Sequence, residues 1–458
     1  MDIRVNKDSD SLIFKMSIPI FIELFLQLLV GNIDQIMISR YSIDSVGSVG
    51  NANQILNIII LILSVMTVST TVLVSRYLGS GNKEKIKEVF NISIYMIIVL
   101  SLVLTVFIFL FDDIILHWLK VPDVIYQETA LYVLICSSLI VVQGLYMVYA
   151  AVLRSYTLMK DVMFVSLIMN IINIIGNALL INGMFFFPKL GIIGAAISTN
   201  ISRILGLFII YHIFKKKAYY PISFEYLKSL PVFTVKNILN ISIPSGAEQL
   251  SYQLSQVFVM KFTNLFGTAV ITTKVYCSML ANIAFIYTIA LSQATQIFIS
   301  YLIGANFLKK VASRVWITVF ISILISVSIT FGFYLSSDKI LGLLTQDETI
   351  LKLAKQILFV EIFLEIGRSI NIVMTKCLVA VEDPKFPAVM CIIFAWLIGV
   401  GAGYIFGVKL GYGLVGIWIA MTVDESIRGL IFIFRFKYLK WWKRVHIKKQ
   451  QERYIAQY

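Results

Sequence analysis

Asp34 is the residue on which ion chemistry can be built. It lies in the apolar run IELFLQLLVGNIDQIMIS, and the next basic residue, Arg40, follows six positions later. A charge at the centre of a bilayer costs roughly 2.5–3.5 kcal/mol on insertion scales, so an acid in such a run marks a functional site by default. A carboxylate there takes up a proton or holds a cation, and either suits ion coupling. Glu23, Gln27 and Asp34 share one helical stripe, because steps of four and eleven residues rotate by about 40° and about 20° at about 100° per residue. Gly31, at the edge of that stripe, admits water, an ion or a neighbouring helix. The competing reading is a packing carboxylate bonded to an Asn or Ser of another helix.

Plausible partners for Asp34 lie further along. Asn170, Asn173 and Asn177 fall within two turns of one apolar segment, and Ser198, Thr199 and Asn200 lie in the next. Amides also bond across helices in lipid, so packing alone accounts for them equally well. In the second half, Glu248, Tyr252 and Ser255 share a face, with Gln249, Gln253 and Gln256 beside it and Lys261 following. Glu361, Glu365 and Arg368 share another. Glu365 and Arg368, three apart, pair within a helix, and a neutral structural clamp is the alternative to a transport role. Asp424, Glu425 and Arg428 read as a structural cluster. Cys136, Cys277, Cys377 and Cys391 are scattered, as are His117, His212 and His446. No spacing among them suggests a metal site or a disulfide framework, and no cofactor is expected. There is no nucleophile–base set and no H-E-x-x-H, so an enzyme is not expected.

The elements that position these residues are membrane helices. Hydrophobic residues make up 59% of the chain and charged residues 14%, with mean hydropathy +0.87. Soluble domains carry about 25% charged residues, so lipid is the main solvent. At roughly 20 apolar residues per span, twelve spans are predicted, at about 16–39, 53–75, 90–111, 130–151, 162–182, 191–214, 240–264, 280–303, 314–334, 353–377, 386–407 and 413–435. The chain also repeats itself. Ser17-Ile18-Pro19 with Glu23 returns as Ser242-Ile243-Pro244 with Glu248, and Leu153 and Lys160 return as Leu378 and Lys385, all 225 residues on. Tyr77-Leu78 and Asn82 return as Tyr301-Leu302 and Asn306 at a shift of 224. The expected fold is an all-α integral membrane protein with twelve transmembrane helices in two pseudo-symmetric six-helix bundles: residues 1–218 and 219–458. Duplicated bundles of this kind suit transport by alternating access.

The net charge of +14 does not point to nucleic acid, because the bases gather in alternate connections. Lys83, Lys85 and Lys87, then Arg154 and Lys160, then Lys215, Lys216, Lys217, Lys228 and Lys236, then Lys309, Lys310 and Arg314 lie in the even-numbered ones. The positive-inside bias therefore puts both termini in the cytoplasm of a multi-pass cell-membrane protein. The tail from Arg435 to Arg453 reads as a basic juxtamembrane segment beside anionic headgroups or as a merely solvated end. The N-terminus mixes acids and bases before a full-length span and reads as uncleaved. Phe185-Phe186-Phe187 and Trp441-Trp442 fit interfacial belts.

Several stretches together resemble the multidrug and toxic compound extrusion (MATE) family of cation-coupled antiporters. They are IPIFIELFLQLLVGNIDQIMISRYSIDSVGSVGNANQI, VSRYLGSGNKEKIKEV, IPSGAEQLSYQLSQ, LSQATQIFISYLIGAN, FLEIGRSINIVMTKCLVAVEDPKFP and GIWIAMTVDESIRG, and the resemblance covers nearly the whole chain. It implies two bundles arranged as a V with a central cavity. Asp34 stands where the family has a helix 1 aspartate that binds a proton or sodium, and Pro19 looks like the proline where that helix bends. Asn173 matches an asparagine of the same site, and Thr199 a hydroxyl. Asn177 stands where some members have a second aspartate, which removes one negative charge and argues against a tight sodium site. Glu248 matches a glutamate of one bacterial branch. The sodium-coupled branch has its glutamate where this chain has Tyr252. Glu382-Asp383 replaces a Gly-Asp turn.

The resulting expectation is a monomeric H+- or Na+-coupled antiporter exporting small organic cations. Asp34, Asn173, Asn177 and Thr199 would bind the ion, with Na+ at Asp34 as one form. Glu23, Gln27, Glu248, Tyr252, Ser255, Glu361 and Glu365 would line the substrate cavity. The rival readings are a lipid-linked precursor flippase of the same superfamily, disfavoured because the bases sit mostly in loops, and a channel.

Overall fold

A helix that turns Val, Leu and Ile outward at helical spacing must be solvated by hydrocarbon. Residues 83–118 do this. Val99, Leu102, Val103, Val106, Leu110 and Ile114 form an exposed stripe, while Ile86, Val89, Phe90, Ile94 and Ile97 are buried on the other side. The computed structural model describes residues 9–184 and 187–438. Phe185, Phe186, Trp441, Trp442, His446 and the basic tail from Lys440 on lie outside those residues.

Every regular element among the described residues is helical. In chain order these are α1 Ser9–Ser39, α2 Ile43–Ser80, α3 Lys83–Trp118, α4 Asp123–Ser138, α5 Ile140–Ser155, α6 Met159–Asn182, α7 Gly191–Lys217, α8 Glu225–Lys228 and α9 Val232–Thr263. They continue with α10 Thr268–Gly304, α11 Leu308–Leu335, α12 Ser337–Gly342, α13 Glu348–Ala380, α14 Lys385–Phe394 and α15 Gly413–Tyr438. Ends are set by local chemistry. Asn82 accepts from the Lys85 amide at 3.0 Å and starts α3, and Asp347 accepts from the Thr349 amide at 2.8 Å and starts α13, each satisfying an orphan donor. Gly81, at φ +72°, ends α2 in the left-handed conformation that glycine adopts without penalty.

Among the described residues the helices make twelve spans, six in each repeat. α4 and α5 form a single broken span, bent by 48° at Leu139, within the span expected at about 130–151. The eleventh span runs from α14 through wide-wound π-helical turns at Ala395–Ala402 and Ile405–Lys409. Several helices are longer than expected, α2, α3 and α10 above all, because capping residues and interfacial turns extend them beyond the apolar window. Eight helices and the α4–α5 pair have the length and hydropathy of a span by composition. α13 and α15 fall short because they carry Glu361, Glu365, Arg368, Lys376, Asp424, Glu425 and Arg428, and α9 because Asn237, Asn240, Gln249, Gln253 and Gln256 add to Glu248.

The repeat is visible in contacts as well as in letters. Thr70 donates to Ser93 at 2.9 Å between α2 and α3. Thr295 and Thr318, each 225 positions on, bond at 2.9 Å between α10 and α11. The chain forms two compact units, one of Ile22–Ser242 and one of the residues up to Phe21 with those from Ile243 on. The sequence-based division at 218/219 lies in the connection after α7, whereas these units divide inside α1 and α9. Contacts account for the difference. Ser17 on α1 bonds the Tyr287 hydroxyl of α10 at 3.3 Å, and Phe21 meets the Tyr287 ring edge-on at 5.6 Å. Reciprocally, Ser242 on α9 donates to Ser69 of α2 at 2.9 Å. α1 runs unbroken through Pro19, as α9 does through Pro244.

Candidate functional site

In the unit of residues 22–242, α1, α6 and α7 bring Asp34, Asn173, Asn177 and Thr199 together. Asn177 Nδ2 donates to Asp34 Oδ1 at 2.8 Å and lies 3.4 Å from Asn173 Oδ1. Asn173 Nδ2 donates to Thr199 Oγ1 at 3.3 Å. The chain of bonds is held from behind, where Ser198 Oγ donates to the Asn173 carbonyl at 2.9 Å. Close approach of α6 and α7 makes this possible. A Cβ on Gly194 would sit 2.5 Å from the Leu180 carbonyl oxygen, and one on Gly176 2.3 Å from Ser198 Oγ. Asn173 and Asn177 are buried, and Asp34 is half-buried. Asp34 makes no ion pair among the described residues, and Asn177 Oδ1 has no hydrogen-bond partner among them. Asn170 lies on the same helix and its Nδ2 is likewise unpartnered.

Three neighbours escaped sequence reasoning. Tyr132 of α4 bonds Thr199 and lies close to Cys136 of α4, Arg203 of α7 and Asp34, and Arg203 Nη1 donates to the Cys136 carbonyl at 3.2 Å. A signal existed: Arg203 precedes Arg428 by 225 residues, and Thr199 and Asn200 precede Asp424 and Glu425 by the same interval.

Glu23 lies apart from that group. It is buried, and Arg154 Nη2 donates to its Oε1 at 2.7 Å. The sequence placed Arg154 in a connection. Instead, α5 carries it into the lobe, because the broken span runs on to Ser155. Gln27 is exposed.

In the other unit, the expected residues fall into linked ion-pair clusters. Arg368 Nη1 bonds Glu361 Oε1 at 2.6 Å and also Glu365. Trp418 Nε1 donates to Glu361 Oε2 at 2.5 Å, and the Arg368 guanidinium stacks over Phe285 at 4.8 Å. Arg428 bonds Asp424 at 2.7 Å and Glu425 at 2.8 Å, and Asn371 Nδ2 donates to Glu425 at 2.5 Å. Tyr252 faces this group, close to Glu425 and Arg368. Glu248 faces Lys376 of α13. Ser255 bonds its own helix, at the Tyr252 carbonyl, 2.7 Å. Bases are therefore not confined to loops: Arg154, Arg203, Arg368, Lys376 and Arg428 all belong to spans. Among the described residues, no three His, Cys, Asp or Glu side chains converge as a metal site.

The arrangement holds one half-buried acid against amides and a hydroxyl, with the other intramembrane acids mostly neutralised by bases. Chemically, a carboxylate in such surroundings can take up a proton or hold a small cation. The MatE family profile matches residues 19–179 and 244–405, one stretch in each repeat. The uncharacterized transporter YisQ of Bacillus subtilis is 36% identical over 95% of both chains. The probable multidrug resistance protein YoeA of the same organism is 23% identical, over 82% of this chain and 81% of its own. Among solved structures, the Vibrio cholerae MATE transporter VcmN in the bent form superposes with a TM-score of 0.87 at 18% identity, covering 97% of this chain and 99% of that one. A single family profile recognises both halves of the duplication, and the chain belongs to the MATE family of membrane transporters.

Proposed function

We propose that this chain is a multidrug efflux antiporter that couples inward cation flow at Asp34 to export of small organic cations by alternating access. The hydrogen bond from Asn177 to Asp34 carries the reading. Protonation of Asp34 removes the charge that strengthens this bond, so α1 loses its hold on α6 and repacks. A ligand shifts such an equilibrium only by its differential affinity for the two states. The ion must therefore favour the conformation that has released substrate.

A proton fits this site better than sodium. Asn177 presents its NH2 to the carboxylate, where a metal ion would need an oxygen, and only one carboxylate is present. Asn173 and Thr199 hold Asn177 in place. Glu23, Glu361 and Glu365 are ion-paired, so they shape the substrate cavity more than they charge it. Attraction for organic cations then falls to Asp34 and Glu248, with Gln27, Tyr252 and Ser255 as polar contacts. Both termini are cytoplasmic in this reading and the working unit is a monomer.

Reconstitution with imposed pH or sodium gradients, following uptake of a fluorescent cationic dye, tests the proposal. Asp34→Asn should abolish gradient-driven transport and leave the protein folded. Undiminished transport would overturn the reading. The bases within the spans, Arg368 and Arg428 buried and Arg203 and Lys376 half-buried, favour a second reading, a flippase for an anionic lipid-linked precursor. Movement of a pyrophosphate lipid in the same vesicles, without dye transport, would select it.

A further inference from the structure

We infer that the connection between the repeats, residues 218–232, is a docking surface for an anionic lipid headgroup layer. Several of its polar groups are bonded to the protein, while a set of its apolar side chains faces outward. The inward side is pinned to α3 and its neighbours. Tyr95 Oη donates to the Ser223 carbonyl at 2.9 Å, Asn91 Nδ2 donates to the Pro221 carbonyl at 3.2 Å, and the Ser223 amide donates to Asn91 Oδ1 at 2.7 Å. Tyr156 and Tyr220 bond through their hydroxyls at 2.5 Å, and Lys87 lies over the Tyr226 ring at 5.9 Å. Just beyond, Thr234 donates to Glu88.

The outward side carries Ile222, Phe224, Leu227, Leu230 and Val232, with Phe224 71% and Val232 73% exposed. A loop in bulk water would turn these residues inward and its serine and tyrosine hydroxyls outward. The segment joins α7 to α9, both membrane spans, so it lies at a bilayer face. Its rim is basic: Lys215, Lys216, Lys228 and Lys236 are exposed. Lys217 is engaged by Asp161 at 2.6 Å, and Glu225, the acid of the segment, accepts from Ser223 Oγ at 3.2 Å. Apolar side chains within a lysine rim match the acyl boundary below an anionic headgroup layer. The rigid inward bonds fix the depth at which the surface meets the lipid. This reading concerns the loop alone and is independent of how Asp34 works.

Site-directed spin labelling of the full chain tests it. The native cysteines are all buried, so a nitroxide placed by Phe224→Cys, or separately by Leu227→Cys, reports its own position. The protein is reconstituted into vesicles of phosphatidylcholine, or of phosphatidylcholine with phosphatidylglycerol in equal parts. The expected result is more frequent collision with oxygen than with a water-soluble nickel chelate at both positions. The preference should be larger in the anionic vesicles, and replacement of Lys215, Lys216, Lys228 and Lys236 by Gln should erase that difference. Free access of the nickel chelate at both positions would overturn the inference, and so would shielding from both reagents, which would mean a protein cover. Identical collision ratios in the two vesicle types would overturn the anionic headgroup as the partner.

Discussion

Arg154 closes on Glu23 at 2.7 Å, whereas Glu248, the same position 225 residues later, faces Lys376 without an ion pair among the described residues. The two repeats thus place an acid of the first span against a base of the fourth, but only the first pair is in contact. Breaking a buried pair by removing one partner costs roughly 3–5 kcal/mol, because the other charge is left stranded. Arg154→Met should therefore destabilise the protein by about that amount, and Glu23→Gln in the same chain should restore much of the loss. Lys376→Met should cost less. Thermal unfolding in detergent of the single and double variants measures all three.

In the proposed coupling site an amide, Asn177, stands beside Asp34 where a second acid would fit. Asn177→Asp places another carboxylate beside Asp34 and replaces the NH2 donor with an oxygen. Transport by this variant should gain a response to an imposed sodium gradient that the parent lacks, at least about tenfold in rate, which corresponds to ~1.4 kcal/mol of differential binding. Dye uptake in vesicles with equal pH on both sides reads the change. A parent protein already driven by sodium alone would refute the preference for a proton while leaving the role of Asp34 intact.

The approach of α6 to α7 is set by two glycines with different tolerance. At Gly194 a Cβ would strike backbone, the Leu180 carbonyl, and backbone cannot step aside. At Gly176 it would strike Ser198 Oγ, which can rotate. Gly194→Ala should cost roughly 1–3 kcal/mol as an overpacking change and should sharply reduce transport by separating Asn173 from Thr199. Gly176→Ala should retain more of both. Unfolding temperature and initial uptake rate, measured on the same preparations, distinguish the two.

Much of the molecule was legible because lipid makes every polar residue conspicuous. Asp34 stood out as an acid with no base on its stripe, and Asn173 and Asn177 as amides one turn apart. The duplication followed from Ser17-Ile18-Pro19 and Ser242-Ile243-Pro244. Pairings between helices were not legible. Glu23 looked like a bare cavity acid because Arg154, 131 residues on, sat past the end of the apolar window, and nothing in the local pattern announced the bend at Leu139. Arg203 went unnoticed although the repeat sets it opposite Arg428.

The linear chain by itself determined the membrane class, the twofold repeat and the presence of a lone acid within an apolar span. Those depend on composition, on spacing along one helix and on the cost of charge in hydrocarbon, all local quantities. The folded structure decided which acids are neutralised, by which bases, and that Asn177 offers nitrogen to Asp34. Such choices depend on the rotation and separation of helices far apart in sequence, and small contacts such as those at Gly176 and Gly194 fix them only once the lobe is packed.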